Sequence, residues 1–390
     1  MIRTIAAVVA ALAVFALGMY LGGHPSGLPE PLRDVFVDES TSVQAEALDL
    51  IKDHYYKKVP AETLRDASVK GMVRSLHNRF SHYFTPRENK LFRESTSGEF
   101  SGVGLSVVAR KRGLLVAGVF SGSPAKRVGI KPGDLVVAVN GKSIAGEPSD
   151  VATARIKGKP GTYVTLTVLR DGKRKQIRVK RARIRVPVAA GRLRSLNGRK
   201  LGVLRLTSFT SGAHGELGSK AKELVKRGAD GFVLDLRGNP GGLLDEAVLV
   251  SSLFIPDGVI VTTKGRTVPK RVLKATGDTV TRRPVVVLVD RGTASASEIV
   301  TGALRDRLHA PVVGQRTFGK GVFGQVFDLA NDGALEIIIG NYYTPAGENL
   351  SGKGVRPSVK AADDPATPRD EALDRALRVV RARVAGPQQG

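Results

Sequence analysis

The pattern that most constrains the fold lies between residues 201 and 342, where continuous apolar runs alternate with amphipathic segments. Short runs rich in β-branched residues predict buried strands, and apolar residues at helical spacing predict the helices between them. The predicted strands cover residues 201–206, 232–236, 285–289 and 336–342, and the predicted helices cover 213–227, 243–253 and 295–308. Strands alternating with helices predict an α/β core, to which we assign residues 185–360.

Residues 98–184 follow a different pattern and predict a small, mostly β domain inserted before the core. Short strand-like runs are separated by turn signals, such as Lys131-Pro132-Gly133-Asp134 and the hairpin pair Asn140-Gly141. A short helix is predicted over 149–156.

The flanking segments are helical in pattern. Residues 41–97 predict an N-terminal helical region, with helical spacing over 42–77 and an irregular stretch over 80–97. This region is also the candidate surface for a homo-oligomer. A basic amphipathic helix is predicted over 369–383, within a C-terminal helix and tail that covers 361–390.

The N-terminus predicts export. Arg3 precedes an uncharged apolar run over 5–21, which is about long enough to cross a bilayer as a helix. No clear small-residue cleavage site follows, so an uncleaved anchor over 1–22 is favoured, with a linker over 23–40. The protein is then a single-pass protein of the cell membrane with its folded part outside the cytoplasm; the alternative is secretion after cleavage. The chain has no cysteine, which excludes thiol nucleophiles and disulfides.

Positive charge is the main compositional bias. The formal net charge is +25, and residues 101–200 hold 23 Lys and Arg against 4 Asp and Glu. Such a bias can indicate nucleic-acid binding or a surface that faces an anionic membrane or cell-wall polymer. The predicted export argues against a nucleic-acid partner.

Ser295 is the candidate nucleophile because it lies where the predicted strand 285–289 gives way to a helix. The first N–H groups of a helix have no acceptor within it, so the N–H of Ala296 could hold an oxyanion beside Ser295. The alternative is purely structural: Ser295 or Ser297 caps the helix and Glu298 completes a capping box.

A nucleophilic serine needs a base, and two candidates remain. His214, at the start of a predicted helix, is the one histidine whose position suits a Ser/His pair. Lys320, between Gly319 and Gly321, is the other, because a lysine held in apolar surroundings can act as a neutral amine. The alternative for Lys320 is an exposed lysine in a turn.

Two glycine-containing segments complete the candidate chemistry. Residues 238–242 join a strand to a helix, and glycines there let backbone N–H groups face a ligand. Residues 314–320 match the G-x-x-x-x-G-K nucleotide motif, but Gly321 replaces the required Ser or Thr and a strand-like segment follows. A nucleotide site is therefore not expected.

Taken together and in order, residues 232–244, 294–299, 318–321, 342–347 and 352–357 resemble the carboxy-terminal processing, or tail-specific, serine proteases. The module at 98–184 resembles their PDZ domain, and the similarity spans roughly 41–360. The resemblance implies a crotonase- or Clp-protease-like α/β core, a Ser295–Lys320 catalytic dyad, and oxyanion donors at Ala296 and Gly241. The family often has a glutamine four residues after its lysine; here Gly324 occupies that position, and Gln325 is the candidate for the role.

The resemblance also implies what the protein binds. In the PDZ domain, Gly102, Val103, Gly104 and Leu105 would hold the C-terminus of a protein or peptide substrate, with 149–156 as the groove helix. No metal or cofactor is expected. The alternatives are a PDZ adaptor with an inactive protease core, and an acyl-CoA enzyme of the crotonase type.

Overall fold

The computed structural model describes the chain at Val14 and over residues 39–364 and 366–386. The predicted anchor at 1–22, apart from Val14, and most of the predicted linker lie outside the described residues. In the part of the chain that is described, no helix is both long and apolar enough to span a bilayer.

The helices of the described residues occur at both ends of the chain and between the strands of the core. They are α1 (Glu39–His54), α2 (Ala61–Arg74), α3 (Pro86–Ser97), α4 (Pro124–Arg127), α5 (Ser149–Ile156), α6 (Ala213–Lys226), α7 (Leu244–Ser252), α8 (Ala296–Leu308) and α9 (Glu371–Ala385).

The strands lie in the β-rich module and the core, except for β1, which precedes both. They are β1 (His82–Phe84), β2 (Glu99–Gly102), β3 (Leu105–Arg110), β4 (Gly113–Val119), β5 (Leu135–Val139), β6 (Lys142–Ser143), β7 (Tyr163–Arg170), β8 (Lys173–Lys180), β9 (Ala182–Arg185), β10 (Ala189–Leu196), β11 (Arg199–Leu206), β12 (Gly231–Asp235), β13 (Val259–Gly265), β14 (Arg271–Lys274), β15 (Val285–Val289), β16 (Val312–Gly314), β17 (Val322–Asp328), β18 (Ala334–Tyr343) and β19 (Val359–Lys360).

The chain divides into two compact units, Met1–Thr85 and Pro86–Gly390. The described part of the first unit consists of α1, α2 and β1. Within it, the Tyr83 hydroxyl donates to Asp66 Oδ1 at 2.8 Å and so links β1 to α2. The helical spacing over 42–77 predicted these two helices correctly.

The second unit begins with α3, a helix that the sequence pattern did not predict. Residues 86–97 are mostly polar, and their two large apolar residues, Leu91 and Phe92, are adjacent, so no helical repeat of apolar positions arises. Pro86 lies in the first turn, where proline is well tolerated. The prediction of an irregular segment was therefore wrong over this stretch.

The β-rich module contains an antiparallel sheet in the order β3-β4-β5-β7-β8, with β6 paired to β5. The predicted two-residue hairpin is present at Asn140 and Gly141, which both have positive φ, 50° and 77°. Buried aliphatic residues, among them Val136 and Leu166, form a core that belongs to this module alone. Strands β2 and β9 pair with each other where the chain enters and leaves the module.

The core is built on a six-stranded sheet in the order β10-β11-β12-β15-β16-β19. Strand β10 is antiparallel to β11, and the remaining neighbours are parallel. The prediction of an α/β core with a mostly β insertion is thereby confirmed. The predicted strands lie within a few residues of β11, β12, β15 and β18, whereas β10, β16 and β19 of this sheet were not predicted.

Alternate residues of the parallel strands face two different helical layers. On β15, Val285, Val287 and Val289 belong to the apolar cluster that contains residues of α6, α7 and α8. Val286 and Leu288 belong to a second cluster with residues of α9. Because both of its faces are covered, β15 is apolar throughout, which is why its sequence pattern was clear. A second, antiparallel sheet has β17, β18, β13 and β14 as neighbours.

Candidate active site

Ser295 occupies the turn between the buried strand β15 and helix α8. Its backbone has φ 55° and ψ −116°, outside the conformations usual for a residue with a side chain. Its side chain is partly exposed, while the residues that follow it in the helix are buried. An unusual backbone conformation held by surrounding structure at a strand-to-helix turn is typical of a reactive site.

A cavity of 890 Å³ brings Ser295 and Ala296 together with Lys320, which lies on a different segment of the core. Tyr342 and the polypeptide around Pro240 and Gly242 also line it. The rest of the lining combines polar and charged residues, among them Arg93, Asp328 and Glu336, with apolar ones, which are Phe92, Leu243, Leu244, Ile299, Val322, Phe323 and Val326. The core therefore gathers the predicted nucleophile, the predicted lysine base and the glycine-containing segment at one site.

The segment 239–242 lies directly against the start of α8. A Cβ atom added to Gly241 would lie 2.9 Å from both Ser295 Cβ and the Ala296 nitrogen. The Asn239 carbonyl accepts the Ala294 N–H and the Ser297 hydroxyl, each at 3.0 Å. Glycine at 241 is thus required by close approach, as well as by its φ of 103°.

The two predicted oxyanion donors differ in whether their N–H groups already have a hydrogen-bond acceptor. The Gly241 N–H donates to Asn239 Oδ1 at 2.9 Å, so it could serve an oxyanion only if that bond were shared or broken. Within the described residues, no acceptor is found for the N–H of Ala296, or for that of Gly242, which also lines the cavity. The role of Gly241 remains a prediction.

Glu298 connects the segments of the two candidate catalytic residues. Its side chain is fully buried, and Oε2 accepts the backbone N–H groups of Ser295 and Lys320, both at 2.9 Å. Oε1 accepts the Gly319 N–H at 2.8 Å and the Thr317 hydroxyl. The sequence indicated only the bond to Ser295, as part of a capping box; the other donors come from a segment far away in sequence.

Two close approaches explain the glycines on either side of Lys320. A Cβ at Gly321 would lie 2.2 Å from the Ser351 nitrogen, and one at Gly319 would lie 3.0 Å from the Gly354 nitrogen. Lys320 itself is partly buried. The alternative prediction, that Lys320 is a fully exposed lysine in a turn, does not agree with the structure.

Tyr342 is a buried neighbour of both candidate catalytic residues that sequence reasoning missed. Its hydroxyl donates to the Lys320 carbonyl and is 3.4 Å from the Ser295 carbonyl. Burial, with a smaller contribution from the Glu298 charge, raises the pKa of Tyr342 well above its ordinary value. The hydroxyl therefore stays protonated and remains a donor. The sequence shows an aromatic residue at the end of a predicted strand, but it does not indicate that the hydroxyl of this residue reaches the two catalytic segments.

His214 and Gln325 are not among the residues that line this cavity. His214 Nδ1 lies 2.9 Å from Glu246 Oε2, at the start of α6.

Gln325 is exposed on β17, where it pairs with Ile337 of β18. The register between these strands shifts at Phe323 and Gly324, and Gly324, not Gln325, lines the cavity. The structure thus does not bring Gln325 to the site. The segment after the G-x-x-x-x-G-K match, residues 322–328, forms a strand, as the sequence predicted.

A second cavity, of 370 Å³, lies where the peptide groove was predicted in the β-rich module. Gly102, Val103, Gly104 and Leu105 line it, as do Thr153 and Ile156 of α5. Helix α3 supplies a further wall through Leu91, Glu94 and Ser95, and Glu94 forms an ion pair with Lys157 at 2.6 Å.

Sequence and structure comparisons identify the class of protein that this arrangement belongs to. The sequence model of peptidase family S41 matches residues 200–361, and that of a PDZ domain matches residues 101–180. The chain is 35% identical over 355 residues to the carboxy-terminal processing protease CtpA of Bacillus subtilis (strain 168), covering 90% of this chain and 75% of that relative. The chain belongs to the carboxy-terminal processing serine protease family and carries its PDZ domain.

Other relatives agree with this assignment. A probable CtpA-like serine protease of Staphylococcus epidermidis is 36% identical over 323 residues, which cover 82% of this chain and 64% of the relative. The solved structure of a photosystem II D1 C-terminal processing protease superposes with a TM-score of 0.51 at 27% identity, covering 88% of this chain and 98% of that one. A putative S41 protease from Bacteroides fragilis shares the fold, with a TM-score of 0.52 at 19% identity, over 86% of this chain and 96% of its own.

Proposed function

We propose that the protein is an exported endopeptidase that cleaves protein substrates near their C-termini, with Ser295 as nucleophile and Lys320 as general base. The main support is the shared cavity, in which Ser295 and Ala296 meet Lys320 although Lys320 comes from a separate segment. The apolar run at the N-terminus supports export, whether the chain stays anchored or is cleaved.

The proposed reaction follows from the groups in the cavity. Neutral Lys320 takes the proton of the Ser295 hydroxyl while Ser295 Oγ attacks the scissile carbonyl carbon. The negative charge that develops on the carbonyl oxygen is held by the Ala296 N–H and by a second N–H from the loop at Gly241 and Gly242. Protonated Lys320 then gives its proton to the leaving amine, and an acyl-enzyme remains. Water, deprotonated by Lys320, releases the new C-terminus.

Helix α3 supports a role for the PDZ domain in delivering the substrate. Leu91, Glu94 and Ser95 on this helix line the PDZ groove, while Phe92, Arg93, Thr96 and Ser97 line the cavity that contains Ser295. A terminus held in the groove would therefore be separated from the cleavage cavity by the width of one helix, about 10 Å. This arrangement favours cleavage a few residues from a captured C-terminus.

The test is to incubate the full-length chain with candidate exported proteins and to map the new C-termini by mass spectrometry. We expect cleavage near the substrates' C-termini, together with a covalent acyl-enzyme at Ser295 when the reaction is quenched early. A Ser295→Ala chain is the matched control. Binding of substrates without any cleavage or acyl-enzyme would favour the PDZ adaptor with an inactive core.

A further inference from the structure

A surface cavity of 760 Å³, separate from the two described above, contains a concentration of positive charge. Four of its nine lining residues are cationic and none is acidic. The lining residues are Arg291, Gly314, Gln315, Arg316, Arg356, Pro357, Lys360, Ala361 and Ala362. We call this the basic cavity.

Among the residues that the structure describes, the charges of the basic cavity have no carboxylate partners. Over residues 39–364 and 366–386, no ion pair joins Arg291, Arg316, Arg356 or Lys360 to an acidic side chain. Arg316 donates to the Lys353 carbonyl, which is neutral. All four side chains are exposed. Like charges that share a concave surface repel one another, and a bound anion would remove that cost.

Several other arginines of the core differ from those of the basic cavity in having carboxylate partners. Arg205 binds Asp235 at 2.9 Å, Arg237 binds Asp235 and Asp370, and Arg305 binds Asp306 and Glu348. The acidic residue next to Arg291 is Asp290, and its Oδ1 already accepts the N–H groups of Gly238 and Gly292 at 2.9 Å. The local structure thus leaves the basic cavity open to an external anion.

The basic cavity lies at the carboxyl ends of parallel strands, a position where α/β proteins commonly bind ligands. Parallel strands β15 and β16 end side by side at Val289 and Gly314, and Arg291 and Arg316 lie two residues beyond these ends. Ala361 follows the neighbouring parallel strand β19 and donates its N–H to the Gly314 carbonyl. Open α/β sheets bind ligands outside the carboxyl ends of their strands.

We propose that the basic cavity binds a soluble anion that carries several phosphate groups. Arginine guanidinium groups bind phosphate oxygens in pairs, and three arginines from different segments can surround such a ligand. A soluble anion suits the site better than a membrane surface, because a flat bilayer would contact the rim of the concave surface and leave its interior unfilled.

Such an anion would also hold the two catalytic segments together. Arg291 lies four residues before Ser295, and Arg316 lies four residues before Lys320. The two segments are already joined by the Phe318 N–H, which donates to the Thr293 carbonyl at 3.0 Å. An anion bound by both arginines adds a second connection and should slow local opening of both segments.

The test measures binding of tripolyphosphate to the full-length Ser295→Ala chain by calorimetry in roughly 0.15 M salt, where loose surface association is screened. We expect saturable binding at a single site and slower amide hydrogen exchange over 291–295 and 316–320. An Arg291→Gln/Arg356→Gln chain should bind about tenfold more weakly or worse, because its charge-assisted contacts are lost. The matched control, Lys173→Gln/Lys175→Gln, removes the same charge from the exposed end of β8 and should bind within about twofold of the parent.

Several results would overturn the proposal. These are no saturable binding, an equal loss in the control pair, or binding that leaves exchange over the two segments unchanged. Vesicles of phosphatidylglycerol that bind through Arg291 and Arg356, while tripolyphosphate does not bind, would assign the basic cavity to a lipid surface instead. The thermal unfolding midpoint of each variant checks its folding, and Lys360→Gln against Lys173→Gln replaces the double variants if either fails to fold. Because the chain used is catalytically silenced, these outcomes do not depend on the proposed protease activity.

Discussion

The backbone N–H groups of Ser295 and Lys320 both donate to one oxygen of the Glu298 carboxylate, each at 2.9 Å. The two residues belong to segments separated in sequence, and a fully buried side chain sets their relative position. A carboxylate suits this role because it has four acceptor positions and no donor, and four donors converge on it here.

The first prediction concerns this carboxylate. In Glu298→Gln, an amide NH2 replaces one oxygen and faces two donors, whichever way it is turned. We expect a loss of about 1–3 kcal/mol in the free energy of unfolding for each donor left unsatisfied. Displacement of the two catalytic segments should also lower kcat/KM by about 10²-fold.

Glu216→Gln is the matched control, because Glu216 Oε2 likewise accepts two backbone N–H groups, from Val188 and Ala189, away from the cavity. It should cost stability without lowering kcat/KM. Equal kcat/KM in Glu298→Gln and the parent would show that Glu298 does not position the catalytic residues.

The second prediction separates the two serines of the nucleophile segment. Ser295→Ala should lower kcat by on the order of 10⁶-fold, as expected for loss of a serine nucleophile. Ser297 is buried and donates to the Asn239 carbonyl, so Ser297→Ala should cost about 1 kcal/mol of stability and retain acyl-enzyme formation. Trapping of the acyl group at Ser297 would reverse this assignment.

The third prediction identifies the base. A lysine accepts a proton only in its neutral form, so activity should rise with pH and should be lost in Lys320→Arg, whose guanidinium stays protonated. His214→Ala should retain activity, because His214 is paired with Glu246 and does not line the cavity. Steady-state rates from about pH 6 to 10 check this. An active Lys320→Arg with an inactive His214→Ala would move the base to His214.

The fourth prediction concerns the PDZ groove. A free terminal carboxylate accepts charge-assisted hydrogen bonds that an amide cannot replace, so amidated peptides should bind more weakly than free-acid peptides, even at high salt. Gly104→Val is an unsuitable blocking variant, because a Cβ there would lie 2.3 Å from Ser123 Cβ and disturb the fold.

Thr153→Tyr is the better variant, since Thr153 lines the groove, and Ala154→Tyr on the same helix is its exposed control. Fluorescence anisotropy of a labelled peptide should show weaker binding to Thr153→Tyr alone. Equal affinity for free-acid and amidated peptides would mean that the groove does not recognise C-termini.

The fifth prediction is a pH dependence of stability in the PDZ domain. Burial by itself would raise the pKa of the Asp134 carboxyl, but the hydrogen bonds from the Arg170 guanidinium and the Lys131 N–H, together with the positive charges of these two residues, outweigh burial and hold the pKa below 3.8. A lowered pKa in the folded state stabilises the fold above the unfolded-state value, and this stabilisation disappears as the pH falls through the lowered pKa.

Asp134→Asn should therefore lower the free energy of unfolding by about 1–3 kcal/mol near neutral pH, because the buried side chain at 134 loses its charge-assisted hydrogen bonds from Arg170. The difference from the parent should shrink as the pH falls below the ordinary value of 3.8. Asp171→Asn, at an exposed turn with φ 50°, is the control and should have little effect at any pH. A difference that grew towards acid pH would contradict this interpretation.

The central strands of the core sheet, β11, β12 and β15, were predictable because both faces of that sheet are covered. Residues 285–289 are all apolar, and such a run is buried whatever its neighbours are. Turn chemistry likewise determined the hairpin at Asn140 and Gly141. In contrast, α3 was missed because its contacts are made largely through polar residues, such as Glu94 with Lys157, which leave no apolar periodicity.

The sequence by itself determined the alternation of strands and helices at the centre of the core, the domain types and the candidate roles of Ser295 and Lys320, since these depend on local patterns and on motifs within short segments. Only the tertiary structure decided which distant groups converge on them. The Glu298 carboxylate receives donors from two segments, the Gly241 N–H donates to Asn239 Oδ1, and Gln325 does not line the cavity. These outcomes depend on the packing and register of α8 and β17 against their neighbours, and no local sequence pattern records the distance between two segments that meet only in the folded chain.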